Sequence, residues 1–242
     1  VRFAGALGRD LAASILGLEL QQYGVETYLV EKVQPTGAIL LFLDDRGERT
    51  MVTSRGASLQ LKADDLADQF FVGLKHLHLT AYSFFGSEEL VTTTTRLLEK
   101  AVARGISFSV DPSSYALLER FGVQRFLSLT KEATLLFPNF EEGRVLTGEK
   151  DPESMIRKLL QHYPRVVLTL GSGGCLCGEG QAVTGVPAPK VQAVDTTGAG
   201  DAFAAGFLHE FLRESNLVAG ARMGNQVASG CVQHYGGRPK PR

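Results

Sequence analysis

Toward its C-terminal end the sequence reads Ala193-Val194-Asp195-Thr196-Thr197-Gly198-Ala199-Gly200-Asp201-Ala202-Phe203, and an apolar helical stretch continues it to Leu212. A helix start leaves backbone N–H groups unpaired and carries the positive end of the helix dipole. Small residues at that start would let an anion approach these N–H groups closely. Asp201, in the first turn, would repel a phosphate that was merely held, but it could take a proton from a hydroxyl that attacks the phosphate. The run therefore suggests phosphoryl transfer.

A purely structural role for this run stays open. Aspartate is common in the first turn of a helix because it interacts favourably with the dipole, and glycine-rich turns often precede helices. A bare Gly-x-Gly-Asp would favour that role. Here Asp195, Thr196 and Thr197 add polar side chains to the same short loop, which favours a binding site.

Length and composition narrow the class of protein. A chain of 242 residues can form one large α/β domain or two small ones. The net charge of −1 gives no reason to expect nucleic acid or an acidic membrane surface as a partner. The apolar residues fall in short runs, and none of these approaches the ~20 residues of a membrane-spanning helix.

The cysteines and the N-terminal residues indicate in which cellular compartment the protein is expected. The three cysteines, Cys175, Cys177 and Cys231, cannot all pair, and a single residue between Cys175 and Cys177 is too few for a zinc knuckle. We therefore expect reduced thiols in a cytoplasmic protein. The sequence starts at Val1 inside a strand-like stretch and shows no signal peptide, which indicates a fragment or a chain without its natural start.

Strand and helix patterns alternate along most of the chain. Strands are predicted at 1–6, 25–30, 74–79, 106–110, 133–137 and 165–170, and helices at 10–23, 88–104, 141–146, 152–162, 199–214 and 217–233. Residues 175–177 and 181–186 look like short antiparallel strands. This alternation predicts an α/β fold with helices on both faces of a parallel sheet, in which ligands bind beyond the C-terminal strand ends. Polar residues that follow strands should therefore converge at one edge, namely Asp111, Asn139, Gly171-Ser172 and Asp195-Thr196-Thr197.

Residues 36–54 break this alternation. Two strand patterns, 37–43 and 49–53, flank the turn-like sequence Asp44-Asp45-Arg46-Gly47. This predicts a β-hairpin with no helix between its strands. Such a hairpin could project from the core as a flap or form a dimer contact.

Several motifs, in their order along the chain, resemble those of the ribokinase-like (PfkB) carbohydrate kinases. Residues 195–201 resemble the family's C-terminal signature, and Asn139-Phe140-Glu141-Glu142, followed by Leu146-Thr147-Gly148, resembles its Asn-x-x-Glu motif. Residues 168–174 are similar to its nucleotide-binding strand and turn, and residues 1–30 to the segment before its lid. The resemblance covers essentially the whole chain.

The resemblance implies a three-layer ribokinase-like α/β fold, in which a mostly parallel central sheet is flanked by helices and carries a small β-lid. Residues 1–242 would form a single domain, with the lid hairpin at about 36–54. The family normally begins with a strand that carries a substrate-binding aspartate and then a Gly-Gly segment, and this sequence starts after both. Truncation is one explanation, and a shortened, inactive protein is the other.

The resemblance also implies an ATP-dependent sugar kinase. Asp201 would be the general base, and Gly198, Ala199 and Gly200, with the Asp201 N–H, would form the anion hole for the transferring phosphoryl group. Asn139 and Glu142 would position Mg²⁺ and its waters near the nucleotide phosphates, which suits a hard, hydrated cation. For Glu142 taken alone, an exposed position in the first turn of a helix is the alternative.

Further cofactor contacts follow from the same resemblance. The nucleotide pocket would be lined by Thr169, Gly171, Ser172 and Gly174. Asn225 lies where the family often contacts the nucleoside, although a packing role is equally open. A monovalent cation, K⁺, would be held by Asp195, Thr197 and the turn that contains Gly236.

The acceptor is the least determined part of the prediction. Tyr82 and Asp111 lie where relatives contact the sugar, and Arg49 of the hairpin could also reach it, although an exposed strand arginine is more often solvated. Paired lids would make a homodimer, as in some members of the family. The alternatives to a sugar kinase are a nucleoside or sugar-acid kinase of the same fold and a catalytically silent binding or scaffold protein.

Overall fold

The computed structural model of this protein describes residues 1–43 and 49–237. By their internal contacts these residues form two units. The first unit consists of Val1–Lys75 and Tyr82–Ile106, and the second of His76–Ala81 together with the chain from Ser107 onward. None of the helices in the described part of the chain combines the length and the apolar character that crossing a bilayer requires.

The first unit begins with a β-α-β arrangement. Strands β1 (Arg2–Leu7) and β2 (Glu26–Glu31) are parallel neighbours, and helix α1 (Leu11–Gln22) connects them. Asp10 caps α1, because its Oδ1 accepts a hydrogen bond from a backbone N–H of the first turn at 2.9 Å. The same carboxylate accepts from the N–H and the hydroxyl of Thr36, each at 2.7 Å. The predicted helix start at Asp10 is confirmed.

The predicted hairpin is also present in the first unit. Strands β3 (Ala38–Leu43) and β4 (Arg49–Ser54) pair in antiparallel register. The turn predicted at 44–47 lies outside the described residues. Short 3₁₀ turns follow the hairpin, and helix α2 (Glu88–Val102) begins after Ser87, whose hydroxyl accepts from a first-turn N–H at 3.2 Å.

The second unit is built on a six-stranded sheet. Its strands are β5 (His76–Thr80), β6 (Ser107–Asp111), β7 (Leu135–Leu136), β8 (Arg165–Thr169), β9 (Cys175–Glu179) and β10 (Ala182–Val186). They lie in the order β10-β9-β8-β7-β6-β5. Strands β5 to β8 run parallel, whereas β9 is antiparallel to β8 and β10 to β9. The C-terminal ends of the parallel strands therefore share one edge, which is where the polar residues were expected to converge.

Helices cover both faces of this sheet. They are α3 (Tyr115–Phe121), α4 (Val123–Leu129), α5 (Phe140–Thr147), α6 (Pro152–Leu159), α7 (Ala199–Glu214) and α8 (Leu217–Cys231). On one face, Gly178 of β9 packs against Ile156 of α6. On the other face, Val167 of β8 lies in a buried cluster with Phe203 and Phe207 of α7. The predicted α/β class, with a mostly parallel sheet between helices, is confirmed, whereas α3 and α4 lie where no element was predicted.

Aromatic packing holds α7 against the sheet. The ring of Phe137, which follows β7, lies edge-on to Phe207 at a centroid distance of 5.1 Å and to Phe203 at 6.4 Å. All three side chains are buried. Because Phe203 stands only two positions after Asp201, this packing sets where the start of α7 lies at the sheet edge.

Candidate active site

Helix α7 begins without a side-chain cap. Gly198 is its N-cap residue and has a φ of 76°, a conformation that favours glycine. A Cβ at Gly198 would also lie 2.6 Å from the carbonyl oxygen of Gly237, so a larger residue cannot fit unless the backbone shifts. Because Gly198 supplies no capping side chain, the N–H groups of the first turn can face an anion, although that of Ala199 also donates to the carbonyl oxygen of Thr196 at 3.2 Å.

Two carboxylates, Asp111 and Asp201, meet at this helix start. Asp111 ends β6, and its Oδ2 lies 3.9 Å from where a Cβ on Gly200 would stand. Desolvation raises the pKa of Asp201, although this residue keeps access to solvent. Burial and the nearby charge of Asp201 raise the pKa of Asp111 to about 6, even though its Oδ1 accepts from the N–H of Ser113 at 2.7 Å.

Asn139 and Glu142 form a capping box at the start of α5. Oδ1 of Asn139 accepts from the N–H of Glu142, and Oε2 of Glu142 accepts from the N–H of Asn139, both at 2.9 Å. Glu142 is 2% exposed. Burial, together with the charge of Asp111, raises the pKa of Glu142 to about 8. The alternative of an exposed first-turn position for Glu142 is therefore wrong.

The same carboxylates are suited to a divalent cation. Asp201 raises the pKa of Asp111, and Asp111 raises that of Glu142, so a positive charge near them would relieve both repulsion and desolvation. Within residues 1–43 and 49–237, no three His, Cys, Asp or Glu side chains are grouped closely enough to enclose a metal ion. The donors thus fit an ion such as Mg²⁺, which uses one or two carboxylates and takes its other ligands from water and phosphate.

A cavity of about 510 Å³ lies beside the start of α7. Its lining brings together Thr169, Gly171, Ser172 and Gly174, which follow one another at the end of β8, and Asn225 of α8, while their role in binding a nucleotide stays a prediction. It also includes residues that the sequence did not assign to this pocket, namely Ala188, Pro189, Lys190, Val191, Ala193, Thr196, Phe203, Ala228, Ser229 and Val232. Part of this lining could have been predicted from the two prolines that follow β10, because prolines indicate a loop of restricted conformation.

Asp195, Thr197 and Gly236 are joined by hydrogen bonds. Oδ1 of Asp195 accepts from the N–H of Thr197 at 2.8 Å and from its hydroxyl at 2.6 Å. Oδ2 of Asp195 accepts from the N–H of Gly236 at 2.9 Å. The structure therefore brings together the three residues that the sequence grouped, while their role in holding K⁺ stays a prediction.

Two candidates for substrate contact lie in the first unit. Tyr82 is 43% exposed, and its carbonyl oxygen accepts from Nη2 of Arg55 at 2.7 Å. Arg49 begins β4, but its side chain lies outside the described residues. The third candidate, Asp111, lies at the start of α7 with Asp201, and contact with the substrate stays a prediction for all three residues.

Comparison with known protein sequences identifies relatives along the whole chain. The family model described as pfkB family carbohydrate kinase matches residues 1–241. An uncharacterized sugar kinase of Archaeoglobus fulgidus is 29% identical over 238 residues, which cover 98% of this chain and 92% of that protein.

Two solved structures share this fold. The adenosine kinase of Sinorhizobium meliloti is 25% identical, with a TM-score of 0.89, and the match covers 98% of this chain and 74% of that one. The fructokinase of Vibrio cholerae, solved with fructose, ADP and calcium ion bound, is 21% identical, with a TM-score of 0.86. That match covers 98% of this chain and 80% of the fructokinase chain.

Proposed function

Because the chain belongs to the pfkB family of carbohydrate kinases, we propose that it transfers the γ-phosphate of ATP to a hydroxyl group of a small carbohydrate, with Asp201 as the general base. The enzyme is thus a phosphotransferase with an alcohol group as acceptor. The observation that carries the proposal is the carboxylate of Asp201 in the first turn of a helix that has no side-chain cap.

In the proposed mechanism, Asp201 takes the proton of the acceptor hydroxyl while that oxygen attacks the γ-phosphorus. The bond between the γ-phosphorus and the bridging oxygen breaks, and ADP leaves with that oxygen. The N–H groups of Gly198, Ala199, Gly200 and Asp201 donate to the oxygens of the transferring phosphoryl group. The raised pKa of Asp201 supports its role, because a stronger base accepts the proton more readily.

Two cations belong to the proposal. Mg²⁺ would neutralise the negative charge of the nucleotide phosphates during transfer. Glu142 and Asn139 would hold it, partly through water. Asp195, Thr197 and Gly236 would hold K⁺ beside the anion hole.

ATP would occupy the cavity beside α7. Gly171 and Gly174 have φ values of 57° and 90°, and the absence of side chains lets the backbone approach a ligand closely there. Thr169 and Ser172 would add hydroxyl groups to the same wall.

The hairpin of β3 and β4 would act as a lid that keeps water from competing as the phosphoryl acceptor. Arg49, Tyr82 and Asp111 would contact the sugar. A homodimer through this hairpin is part of the proposal, because Leu40 and Phe42 of β3 share one face with Val52 of β4 and each is more than half exposed.

A nucleoside acceptor is the second candidate, because the adenosine kinase of Sinorhizobium meliloti shares both the fold and 25% of its residues with this chain. Sugar acids are a further acceptor class on the same fold. A catalytically silent binding protein is disfavoured, because such a protein has no need of a base beside an anion hole.

The deciding experiment measures ADP release from Mg·ATP with a panel of sugars, sugar acids and nucleosides, each with and without K⁺. We expect acceptor-dependent turnover with one or a few sugars, and we expect Asp201→Asn to abolish most of it. Turnover with nucleosides alone would replace the sugar assignment. No acceptor-dependent ADP release from any member of the panel would favour the silent binding protein.

A further inference from the structure

One wall of the nucleotide cavity is a segment without helix or strand. Residues 187–198 connect β10 to α7, and Ala188, Pro189, Lys190, Val191 and Ala193 of this segment line the cavity. Most of these side chains are exposed to solvent. The shape of the cavity on this side therefore depends on where the segment is attached to the rest of the unit.

Asn225 of α8 attaches the beginning of this segment. Its Nδ2 donates to the carbonyl oxygen of Val186 at 3.1 Å and to that of Pro187 at 3.3 Å. Asn225 is 4% exposed, so these bonds form away from competing water. The Nδ2 group also lies 3.9 Å from Sγ of Cys175, which places it directly against the sheet.

Two further contacts restrict the segment. Gly174 has a φ of 90°, and a Cβ there would lie 2.1 Å from the carbonyl oxygen of Val186 and 2.6 Å from the amide nitrogen of Ala188. At the other end, the N–H of Val194 donates to the carbonyl oxygen of Val232 at 2.7 Å. Both ends of the wall are thus attached by α8, at Asn225 and at the end of the helix.

We propose that Asn225 is a positioning residue for nucleotide binding, which holds the 187–193 wall of the cavity and does not read the base. This inference rests on the proposed function, in which the cavity binds ATP. The amide group of Asn225 donates to the carbonyl oxygens of Val186 and Pro187, so its hydrogen atoms hold the wall in place. Loss of these donors should therefore weaken the binding of every nucleotide by the same factor, whichever base the nucleotide carries.

The test compares the wild-type protein with Asn225→Asp, which keeps the side-chain shape but turns the donor into an acceptor facing two carbonyl oxygens. Calorimetry with ADP, GDP and CDP, each with Mg²⁺, should show Kd values raised about tenfold or more by the same factor for all three. In steady-state kinetics, KM for ATP should rise, while KM for the sugar and kcat at saturating ATP stay unchanged. Hydrogen exchange at the amides of 188–193 should be faster in the ligand-free variant.

Asn216→Asp is the matched control. Asn216 is the N-cap of the same helix, and an aspartate caps as well as an asparagine, so its Kd values should equal those of the wild type. If Asn225→Asp does not fold, Asn225→Ser replaces it, because serine keeps a single, shorter donor and should give the same pattern.

Three outcomes would overturn the inference: unchanged Kd values, a change in the ratio of the Kd values for ADP and GDP, or unchanged exchange at 188–193. A wild-type protein that binds no nucleotide would instead contradict the proposed function of the cavity. The exchange measurement in the ligand-free protein would then decide on the role of Asn225 by itself.

Discussion

Three carboxylates at one sheet edge, those of Asp111, Glu142 and Asp201, have raised pKa values. Burial is the largest cause for each of them, and neighbouring negative charge adds to it for Asp111 and Glu142. A chain selected for stability alone would avoid such a grouping, because it costs free energy in the absence of a cation. Perturbed carboxylates beside an uncapped helix start are typical of a catalytic site.

Asp201→Asn tests the assignment of the general base. Asparagine keeps the size of the side chain but cannot accept the proton at pH 7, so we expect kcat to fall roughly 10²–10⁴-fold. Binding of ATP should be retained, because a negative charge near the phosphates is removed. Steady-state kinetics and nucleotide calorimetry measure the two effects.

Asp151→Asn provides the control for this substitution. Asp151 is the N-cap of α6, where asparagine caps equally well, so turnover should match the wild type. Unchanged turnover in Asp201→Asn would rule out the assignment of this residue as the base.

At the scale of secondary-structure elements, the start of α7 depends on a glycine for two separate reasons. Gly198 has a positive φ, and a Cβ added there would lie 2.6 Å from the carbonyl oxygen of Gly237. Gly148, which ends α5, has nearly the same φ of 74° but nothing within 4 Å of where its Cβ would be. The two positions therefore separate backbone strain from steric contact.

We expect Gly148→Ala to cost about 1 kcal/mol of unfolding free energy, from the left-handed conformation alone. Gly198→Ala adds the contact with Gly237 and should cost roughly 3 kcal/mol or more. It should also lower kcat at least about tenfold, because a 1 Å displacement of the anion hole can cost more than that. Urea unfolding and turnover measurements on both variants check these expectations. Equal effects of the two substitutions on turnover would show that the contact with Gly237 is unimportant for activity.

Two histidines join β5 to β6 through serine hydroxyls. Nδ1 of His76 lies 2.8 Å from Oγ of Ser107, and Oγ of Ser109 lies 2.8 Å from both Nε2 of His76 and Nδ1 of His78. Burial lowers the pKa of both imidazoles to about 4, helped at His76 by the neighbouring His78. Both rings are therefore neutral in the folded protein at pH 7.

This network predicts a loss of stability in acid. The unfolded chain protonates these two histidines below about pH 6.5, whereas the folded chain does so only near pH 4, so their contribution to stability is complete above pH 6.5 and falls between those values. Protonation of each imidazole should lower the free energy of unfolding by up to about 3 kcal/mol across that pH range. Urea unfolding at pH 7 and pH 4.5 should show a smaller loss in the double variant His76→Gln, His78→Gln than in the wild type.

If the double variant retained the full pH dependence of unfolding, the acid sensitivity would come from other groups.

At the scale of the whole molecule, the β3–β4 hairpin bears on assembly. Leu40, Phe42 and Val52 form an apolar patch on one face of it, with exposed fractions of 63%, 56% and 55%. Ile39 is exposed on the opposite face of β3. A lysine in an apolar interface between two copies must be desolvated, which strongly disfavours association.

If the protein forms the proposed dimer, we therefore expect Leu40→Lys to give a 26.1 kDa monomer, while Ile39→Lys leaves that dimer intact. Light scattering after gel filtration, at equal protein concentration, measures the mass of each variant. A wild-type protein that is monomeric, or variants that behave alike, would contradict a dimer through this patch.

Local sequence patterns predicted most of the helices and strands, but they missed two helices and one helix cap. The hairpin, the start of α1 and the succession of strands along the chain were readable, because each depends on residue spacing or on a cap within a few positions. Helices α3 and α4 were missed, although Ser114 and Gly122 stand at their boundaries as usable signals. The Asn139/Glu142 motif predicted a magnesium site or, for Glu142, an exposed first-turn position, and its match to the spacing of a capping box was missed. That residues 1–242 act as one domain stays a prediction.

By itself, the sequence determined the family motifs, the uncapped glycine start of α7 and the succession of strands and helices, since these depend on neighbours along the chain. Only the tertiary structure decided which distant groups meet. It buried Glu142, brought Asp111 to the start of α7 and aimed the amide of Asn225 at the carbonyl oxygens of Val186 and Pro187. Desolvation and charge coupling depend on distances between segments far apart in sequence, and those distances are set when the sheet and its helices pack.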